Sequence, residues 1–457
     1  MSLGSRFYRQ KGRVTMDENE LMGSMKVSKA VAKMAIPSVI SSLVTVVYNM
    51  ADTFFVGQTG DPLQVAAVSL TNPIFILFMA FANMFGMGGS AAASMALGEK
   101  KEKRVKQVSS FITYASLIVG IVFAAILLVG MQPVLQLFGA DADTYELAKG
   151  YTTYISYGAP FIIWSAAASF VVRADGASRE AMTGSMIGTV ANIILDPIFI
   201  SGFGMGAAGA AIATTIGNIM ASVYYLWYFC RKSRNMSMAF RYFKCGDRIL
   251  SQVCSAGLPT AIFSALMSIS TIILNQILVA YGNAPVAAIG IVFKANMFIT
   301  FLQMGLANGV QPLLGYSYGA GNRERFIAVE RYTKKCCLIV GVLATALFFF
   351  FREPIIRLFI SDTEVINYGV EMLIAYMISG PVIGILFMNM NCMQSTGNAL
   401  PATILSILRQ GVLLIPVLYG LNALIGLHGV IYGQALTDYV AVLLSIVIWR
   451  WKRRKTL

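Results

Sequence analysis

Residues 107–131 read QVSSFITYASLIVGIVFAAILLVGM, 25 positions without a charged side chain. A bilayer core is about 30 Å thick, and a helix rising 1.5 Å per residue crosses it in about 20 residues. This stretch is long enough to cross, and it follows a basic turn, Gly98-Glu99-Lys100-Lys101-Glu102-Lys103-Arg104. Working outward, similar apolar blocks recur near 30–57, 65–95, 149–172, 178–202, 207–229, 251–280, 286–316, 332–351, 366–392, 399–420 and 429–449, which makes twelve spans. Several exceed the bilayer requirement, so tilt, kinks or extension beyond the lipid are expected. Over all 457 residues the apolar set makes up 57% and charged residues 12%, against roughly 45–50% and about 25% in soluble domains. A soluble enzyme and a disordered chain are both excluded. The fold class is all-α: a polytopic membrane protein of twelve transmembrane helices.

Charge sets the expected orientation. Thirty of the 35 Lys and Arg residues fall in 1–36, 98–106, 173–180, 230–250, 317–335 and 450–457, while the alternate loops carry only Lys149, Arg352 and Arg357. Short basic loops stay in the cytoplasm, so both termini are expected on the cytoplasmic side of the membrane. The net charge of +14 is thus a topology signal with anionic-lipid contact, and no nucleic-acid partner is expected. Residues 1–25 lack a signal-peptide core, and the stretch before Met16 reads as a leader or an appended segment. The six cysteines, Cys230, Cys245, Cys254, Cys336, Cys337 and Cys392, form no CxxC pair and have no histidine spacing for zinc. The single histidine, His428, has a structural or solvated role, which leaves no base for a nucleophile. No glycine-rich phosphate loop is present, so no nucleotide cofactor is expected, and the chain is not read as an enzyme.

The chain repeats at an offset near 221 residues. Pro37 falls against Pro259, Gly88 against Gly309, Gly98 against Gly319, Arg104 against Arg325, Pro133 against Pro354, Pro160 against Pro381 and Gly176 against Gly397. Each copy holds six spans, an even number, so the copies enter the membrane in the same sense and pair about an axis along its normal. The expected domains are a cytoplasmic segment at 1–29, a first lobe at 30–229, a basic linker at 230–250, a second lobe at 251–449 and a basic tail at 450–457. Two pseudo-symmetric six-helix lobes around one cleft suit an alternating-access carrier. Pro37, Pro73, Pro160, Pro197, Pro259, Pro312, Pro381 and Pro416 are its candidate bending points.

A carboxylate inside a span costs about 2.5–3.5 kcal/mol even on a lenient insertion scale, so intramembrane acids point to function. Asp52 lies about five residues, roughly 8 Å, below the outer end of its span, Asp196 about six residues below its own, and Thr214 about seven residues into the next. Asn192 is one turn before Asp196 on the same helix face. Two carboxylates, a carboxamide and a hydroxyl at one depth make an oxygen-rich site for H⁺ or a hard cation such as Na⁺, and adjacent carboxylates titrate as a coupled pair. Pro197 has no N–H to donate to the carbonyl of Ile193, leaving a free acceptor and a hinge at that level. Asp175 and Glu180 are assigned to a cytoplasmic loop, and Asp438 to the interface.

The run Tyr48-Asn49-Met50-Ala51-Asp52-Thr53-Phe54-Phe55-Val56-Gly57, the turn Arg173-Ala174-Asp175-Gly176, the run Asn192-Ile193-Ile194-Leu195-Asp196-Pro197, and Arg409-Gln410 ahead of Pro416 resemble the MATE family of multidrug and toxic compound extrusion transporters. Within it, the sequence most resembles the bacterial MepA-like branch, from about residue 28 to 449. The resemblance implies H⁺ or Na⁺ coupling through Asp52, Asn192, Asp196 and Thr214, and amphipathic organic cations as substrates. One departure is that spans 7 and 8 carry no acid and span 10 only Glu371, so a second-lobe cation site is not expected. That lobe offers Gln276, Lys294, Gln303 and Asn389 instead. Tyr48, Asn49, Gln276, Lys294, Met297 and Gln303 are the expected substrate-cleft residues. Lys294 either faces the cleft or snorkels to the outer interface. The 25 Met and 28 Phe supply deformable and aromatic lining for varied ligands. The function expected is cation-coupled multidrug antiport by a monomer, with a lipid-linked sugar flippase of the same superfamily as the alternative. A facilitator-type carrier is disfavoured because the 98–106 loop lacks a Gly-xxx-Asp-Arg pattern.

Overall fold

Lipid offers no hydrogen bonds, so each backbone N–H and C=O in a span must be satisfied inside its own helix. The computed structural model describes residues 20–58 and 61–456, in which no strand occurs and helices succeed one another along the chain. The stretch before Met16, expected to be a leader or an appended segment, lies outside the described residues.

The first half consists of α1 (Val27–Gly57), α2 (Pro62–Gly98), α3 (Glu102–Val129), the short α4 (Met131–Leu137), α5 (Tyr145–Ala174), α6 (Ser178–Pro197) and α7 (Gly206–Arg231). The second half comprises α8 (Ile249–Val279), α9 (Asn283–Gly319), α10 (Arg323–Phe350), the short α11 (Arg352–Arg357), α12 (Thr363–Ile378), α13 (Gly380–Ser395), α14 (Ala399–Ile407), α15 (Leu414–Ile425) and α16 (Leu427–Thr456). Among the described residues eleven crossings qualify on length and hydropathy, and α12 with α13, bent by 45°, make the twelfth. Several helices begin earlier than the apolar runs, α3 at 102 and α10 at 323, because charged turns beyond the lipid still continue the helix. The short helices α4 and α11 stand 221 residues apart and were not expected from hydropathy.

Five of the eight candidate bending prolines, Pro37, Pro73, Pro160, Pro259 and Pro312, sit inside unbroken helices. The other three accompany irregularities. Pro197 hands α6 over to a π-turn at Ile198–Gly202, Pro381 comes just after the break at Ser379, and Pro416 just after a π-turn at Leu408–Leu413. A proline cannot donate to the carbonyl four residues back, and its ring crowds that carbonyl, so the ladder breaks or widens there.

The lobes meet in pseudo-symmetric pairs, α2 on α8 and α1 on α9, with α2 also on α9. Ser90 Oγ donates to Gln311 Oε1 at 2.8 Å, a bond between residues 221 apart and therefore between symmetry mates. Gly98 and Gly319, also mates, allow the backbones to close: a Cβ on Gly98 would stand 2.2 Å from the Tyr316 carbonyl oxygen, and one on Gly319 2.1 Å from that of Met95. Arg104 donates to the Asp247 carbonyl at 2.7 Å and to Gln252 Oε1 at 3.0 Å. Its mate Arg325 donates to the carbonyls of Leu21, Met22 and Met25 at 3.0, 2.9 and 2.7 Å. These ties lie at the end of the molecule where the described chain begins and stops, and they close the seam there.

Candidate functional site

Asp196 occupies the last turn of α6, directly before Pro197 and the π-turn, and is fully buried. Asn192, one turn earlier, and Thr214, in the third turn of α7, are buried beside it. Oriented so that both ends of its amide find complementary partners, Asn192 donates from Nδ2 to Asp196 Oδ2 at 3.0 Å and accepts from Thr214 Oγ1 at 3.2 Å. The Tyr48 hydroxyl of α1 lies 3.3 Å from the same Thr214 Oγ1. Asp52 is one turn beyond Tyr48 on the same face, half-buried, and interacts electrostatically with Asp196, Tyr48 and Tyr151. The structure therefore brings Tyr48, Asp52, Asn192, Asp196 and Thr214 together, from α1, α6 and α7. Asn49 is partly buried next to Tyr48.

Asp196 Oδ1 is buried with no hydrogen-bond partner, an open acceptor at the centre of the cluster. Leaving such an atom unsatisfied costs about 1–3 kcal/mol, more where it bears charge, so the geometry favours a group that can take that lone pair. Carboxylate, carboxamide and hydroxyl oxygens suit a proton or a hard monovalent cation. Among the described residues no three of His, Cys, Asp and Glu converge as a transition-metal site would require.

The second lobe departs from expectation at Asp438, which sequence reasoning assigns to the interface. It is buried in α16, where Arg409 Nε donates to its Oδ1 at 2.8 Å and Gln434 Nε2 to the same oxygen at 2.9 Å. Arg409 projects from the π-turn, with its guanidinium 5.2 Å from the Phe263 ring centroid and 5.7 Å from that of Phe387. A signal was available: the one arginine inside a span and an acid in a neighbouring span must each find a partner in lipid. The pair borders a cavity of about 290 Å³ between α8, α9, α12 and the last two spans. Met297 lines it, as does Phe293, the neighbour of Lys294.

The other second-lobe expectations sort differently. Gln303, expected in the cleft, is fully buried between helices, where its Nε2 donates to the carbonyls of Cys337 at 2.9 Å and Gly380 at 3.3 Å. Its amide nitrogen carries two N–H donors, one for each backbone, so here it joins helices. Gln276 is exposed near the end of α8 and lies outside the cavity wall. Lys294 is half-buried and forms none of the ion pairs among the described residues. Asn389 is buried and donates to Ser445 Oγ at 2.9 Å.

Asp175, in the turn between α5 and α6, is buried in spite of its loop position. It accepts from the Tyr228 hydroxyl at 2.8 Å, Ser233 Oγ at 2.7 Å and Asn235 Nδ2 at 2.9 Å, and so holds the start of the interlobe linker. Burial pushes its carboxyl above the usual carboxylate range against the pull of these donors. Glu180 takes hydrogen bonds from Tyr224 and Lys232. His428 Nδ1 and Glu371 Oε1 lie 2.6 Å apart at the surface.

Comparison with known proteins places these features. The model of the MatE family matches residues 37–198 and again 259–419. The multidrug export protein MepA of Staphylococcus saprophyticus is 32% identical over 422 residues, covering 92% of this chain and 93% of that protein. MepA of Staphylococcus aureus gives the same identity and coverage. A crystal structure of MATE in complex with MaD3S superposes with a TM-score of 0.90 at 25% identity, covering 95% of this chain and 97% of the other. A structure described as an outward-facing conformation of a multidrug resistance MATE family transporter of the MOP superfamily gives 0.87 at 25% identity, covering 94% and 96%.

Proposed function

The chain belongs to the MatE family, whose model spans both of its halves, and from that premise we propose that it is a cation-coupled multidrug antiporter of the bacterial cell membrane that exports amphipathic organic cations. The observation that carries the coupling is the buried cluster of Asp52, Asn192, Asp196 and Thr214, with one carboxylate oxygen of Asp196 left open. With the basic loops inside the cell, the closed seam is the cytoplasmic one and the structure represents an outward-facing state. The likeness to an outward-facing MATE family structure supports that reading.

In this state Asp52 and Asp196 accept H⁺ or Na⁺ from outside. The carboxylates are then neutralised, an organic cation loses its attraction to the first lobe, and drug leaves. After reorientation the pair discharges inward and regains its charge for the next drug molecule. Each elementary charge moving down the membrane potential supplies about 2.3 kcal/mol per 100 mV, to which the concentration gradient adds. Tyr48 and Asn192 hold Thr214 and Asp196 in place meanwhile. A lipid-linked sugar flippase would call for a larger and more cationic cleft than Lys294 alone provides, since the buried guanidinium of Arg409 is matched by Asp438.

Ethidium efflux from proteoliposomes, under an imposed pH gradient or an imposed Na⁺ gradient in turn, tests the proposal. Drug movement that tracks one gradient supports it and identifies the ion; movement indifferent to both refutes coupling.

A further inference from the structure

Inside a lobe that carries no acid in its first two spans, the ion pair between Arg409 and Asp438 borders a partly open cavity of about 290 Å³. The rings and thioethers of Phe263, Phe293, Phe301, Tyr376, Met267 and Met297 form much of its wall, contributed by α8, α9 and α12. The polar groups come from the π-turn and from α16: Arg409, Gln410, Gln434 and Asp438. Arg409 is 6% exposed, yet its Nη1 has no hydrogen-bond partner. The Asp438 interaction uses Nε, and the two phenylalanine rings cover guanidinium faces without accepting a hydrogen bond along its edge. A buried donor left over at the border of a cavity is one that a ligand can satisfy.

From this geometry we propose that the second-lobe cavity is a ligand site for a flat aromatic molecule of zero net charge that carries an oxygen acceptor, the acceptor meeting Arg409 Nη1 and the ring system lying among the Phe and Met side chains. The charge class comes from the wall. Arg409 and Asp438 are its only charged members among the described residues, and they cancel, so an anion meets Asp438 and a cation meets Arg409 with no compensating partner. The volume lies near the lower end of small-molecule pockets, about right for three fused rings. The first-lobe cluster is the chemical opposite, two acids with no ion pair to a basic side chain among the described residues. The lobes would thus sort ligands by charge, cations in the first and net-neutral aromatics in the second. This extends the reading of the chain as a drug exporter, but its test does not depend on transport.

The test uses the full-length protein in lipid nanodiscs, with empty nanodiscs subtracted, and three fluorescent probes: acridone, an uncharged tricyclic ketone; its anionic N-acetic acid; and ethidium, a cation. Acridone should bind saturably. Thr300→Trp, which fills the cavity while leaving both members of the ion pair in the sequence, should abolish that binding. Arg409→Lys, which keeps the charge but loses the guanidinium edge, should weaken it roughly tenfold or more. Ethidium affinity should stay within about twofold in both variants, since its expected site is in the other lobe. Should Arg409→Lys fail to fold, Thr300→Trp decides alone. The proposal is overturned by an absence of saturable acridone binding, by acridone binding that survives Thr300→Trp, or by tighter binding of the acetic acid than of acridone. Acridone binding as described, alongside ethidium efflux indifferent to every gradient, would sink the antiport reading and leave this one standing.

Discussion

At Asp196 one carboxylate oxygen is engaged by Asn192 and the other is buried without a hydrogen-bond partner, unlike any other carboxylate oxygen among the described residues. Replacing it with asparagine keeps size and hydrogen bonding but removes both titration and the anionic ligand. Asp196→Asn should therefore reduce gradient-driven ethidium efflux to the level of protein-free vesicles while leaving expression and acridone binding unchanged; undiminished efflux would show that the cluster is helix glue. Asp175 provides a pH test away from the membrane core. Its folded carboxyl holds its proton more tightly than in the unfolded chain because it is buried, so its contribution is complete below the unfolded pKa and is lost as pH rises through the folded one. Thermal unfolding of the detergent-solubilised protein should accordingly weaken across that upward window, and Asp175→Asn should flatten the dependence. Equal slopes for both proteins would refute the assignment. The first-lobe cluster was legible in the sequence because acids inside apolar runs are few and their depth can be counted from the run ends. Asp438 was misjudged for the converse reason: its partner Arg409 is 29 residues away on another helix, and only tertiary packing brings them within 2.8 Å.

Among the elements, the interruptions of regular helix carry the chemistry. Both π-turns adjoin candidate sites, one immediately after Asp196 and the other around Arg409 and Gln410. A π-turn adds a residue to the ring and rotates the helix on its N-terminal side against the helix on its C-terminal side, which turns polar side chains inward without ending the span. Pro197 marks the first of these. Pro197→Ala would restore an N–H donor for the Ile193 carbonyl and let α6 run on regularly, so the variant should melt at the same temperature or higher, yet transport ethidium several-fold more slowly because Asp196 and its hinge are displaced. A gain or no change in efflux rate would exclude a role for the turn. The sequence supplied the prolines but could not say which of them break a helix. Neighbours decide that, and five of the eight leave theirs intact. The twelve crossings were legible because each is a run of about 20 or more residues in which polar and charged side chains are few. The short helices α4 and α11 were not, at 7 and 6 residues too short to register in hydropathy.

For the molecule as a whole, the 221-residue repeat places an arginine at the seam in each half, Arg104 and its mate Arg325. Arg104 grips the linker and Gln252 ahead of the second lobe, while Arg325 grips the carbonyls of residues 21, 22 and 25 ahead of the first. Each latch therefore ties one lobe to the chain entering the other, and the alternating access proposed above would require both to release when this side opens. Hydrogen bonds from a charged donor are worth about 1.5–3 kcal/mol each. Losing two or three on either side is then enough to move a two-state equilibrium by more than an order of magnitude. The two sites share no residue, so their effects should add. Spin labels at Lys103 and Glu324, exposed symmetry mates beside the latches, would report the opening in a cysteine-depleted background. Arg104→Ala and Arg325→Ala should each shift part of the distance distribution to longer separations, and the double variant should populate the open form most. Ethidium efflux should fall in the same order, because a carrier resting inward-open returns slowly to the state that releases drug outside. An unchanged distribution in the double variant would mean that the glycine-lined seam around Gly98 and Gly319 holds the lobes together without help from these arginines.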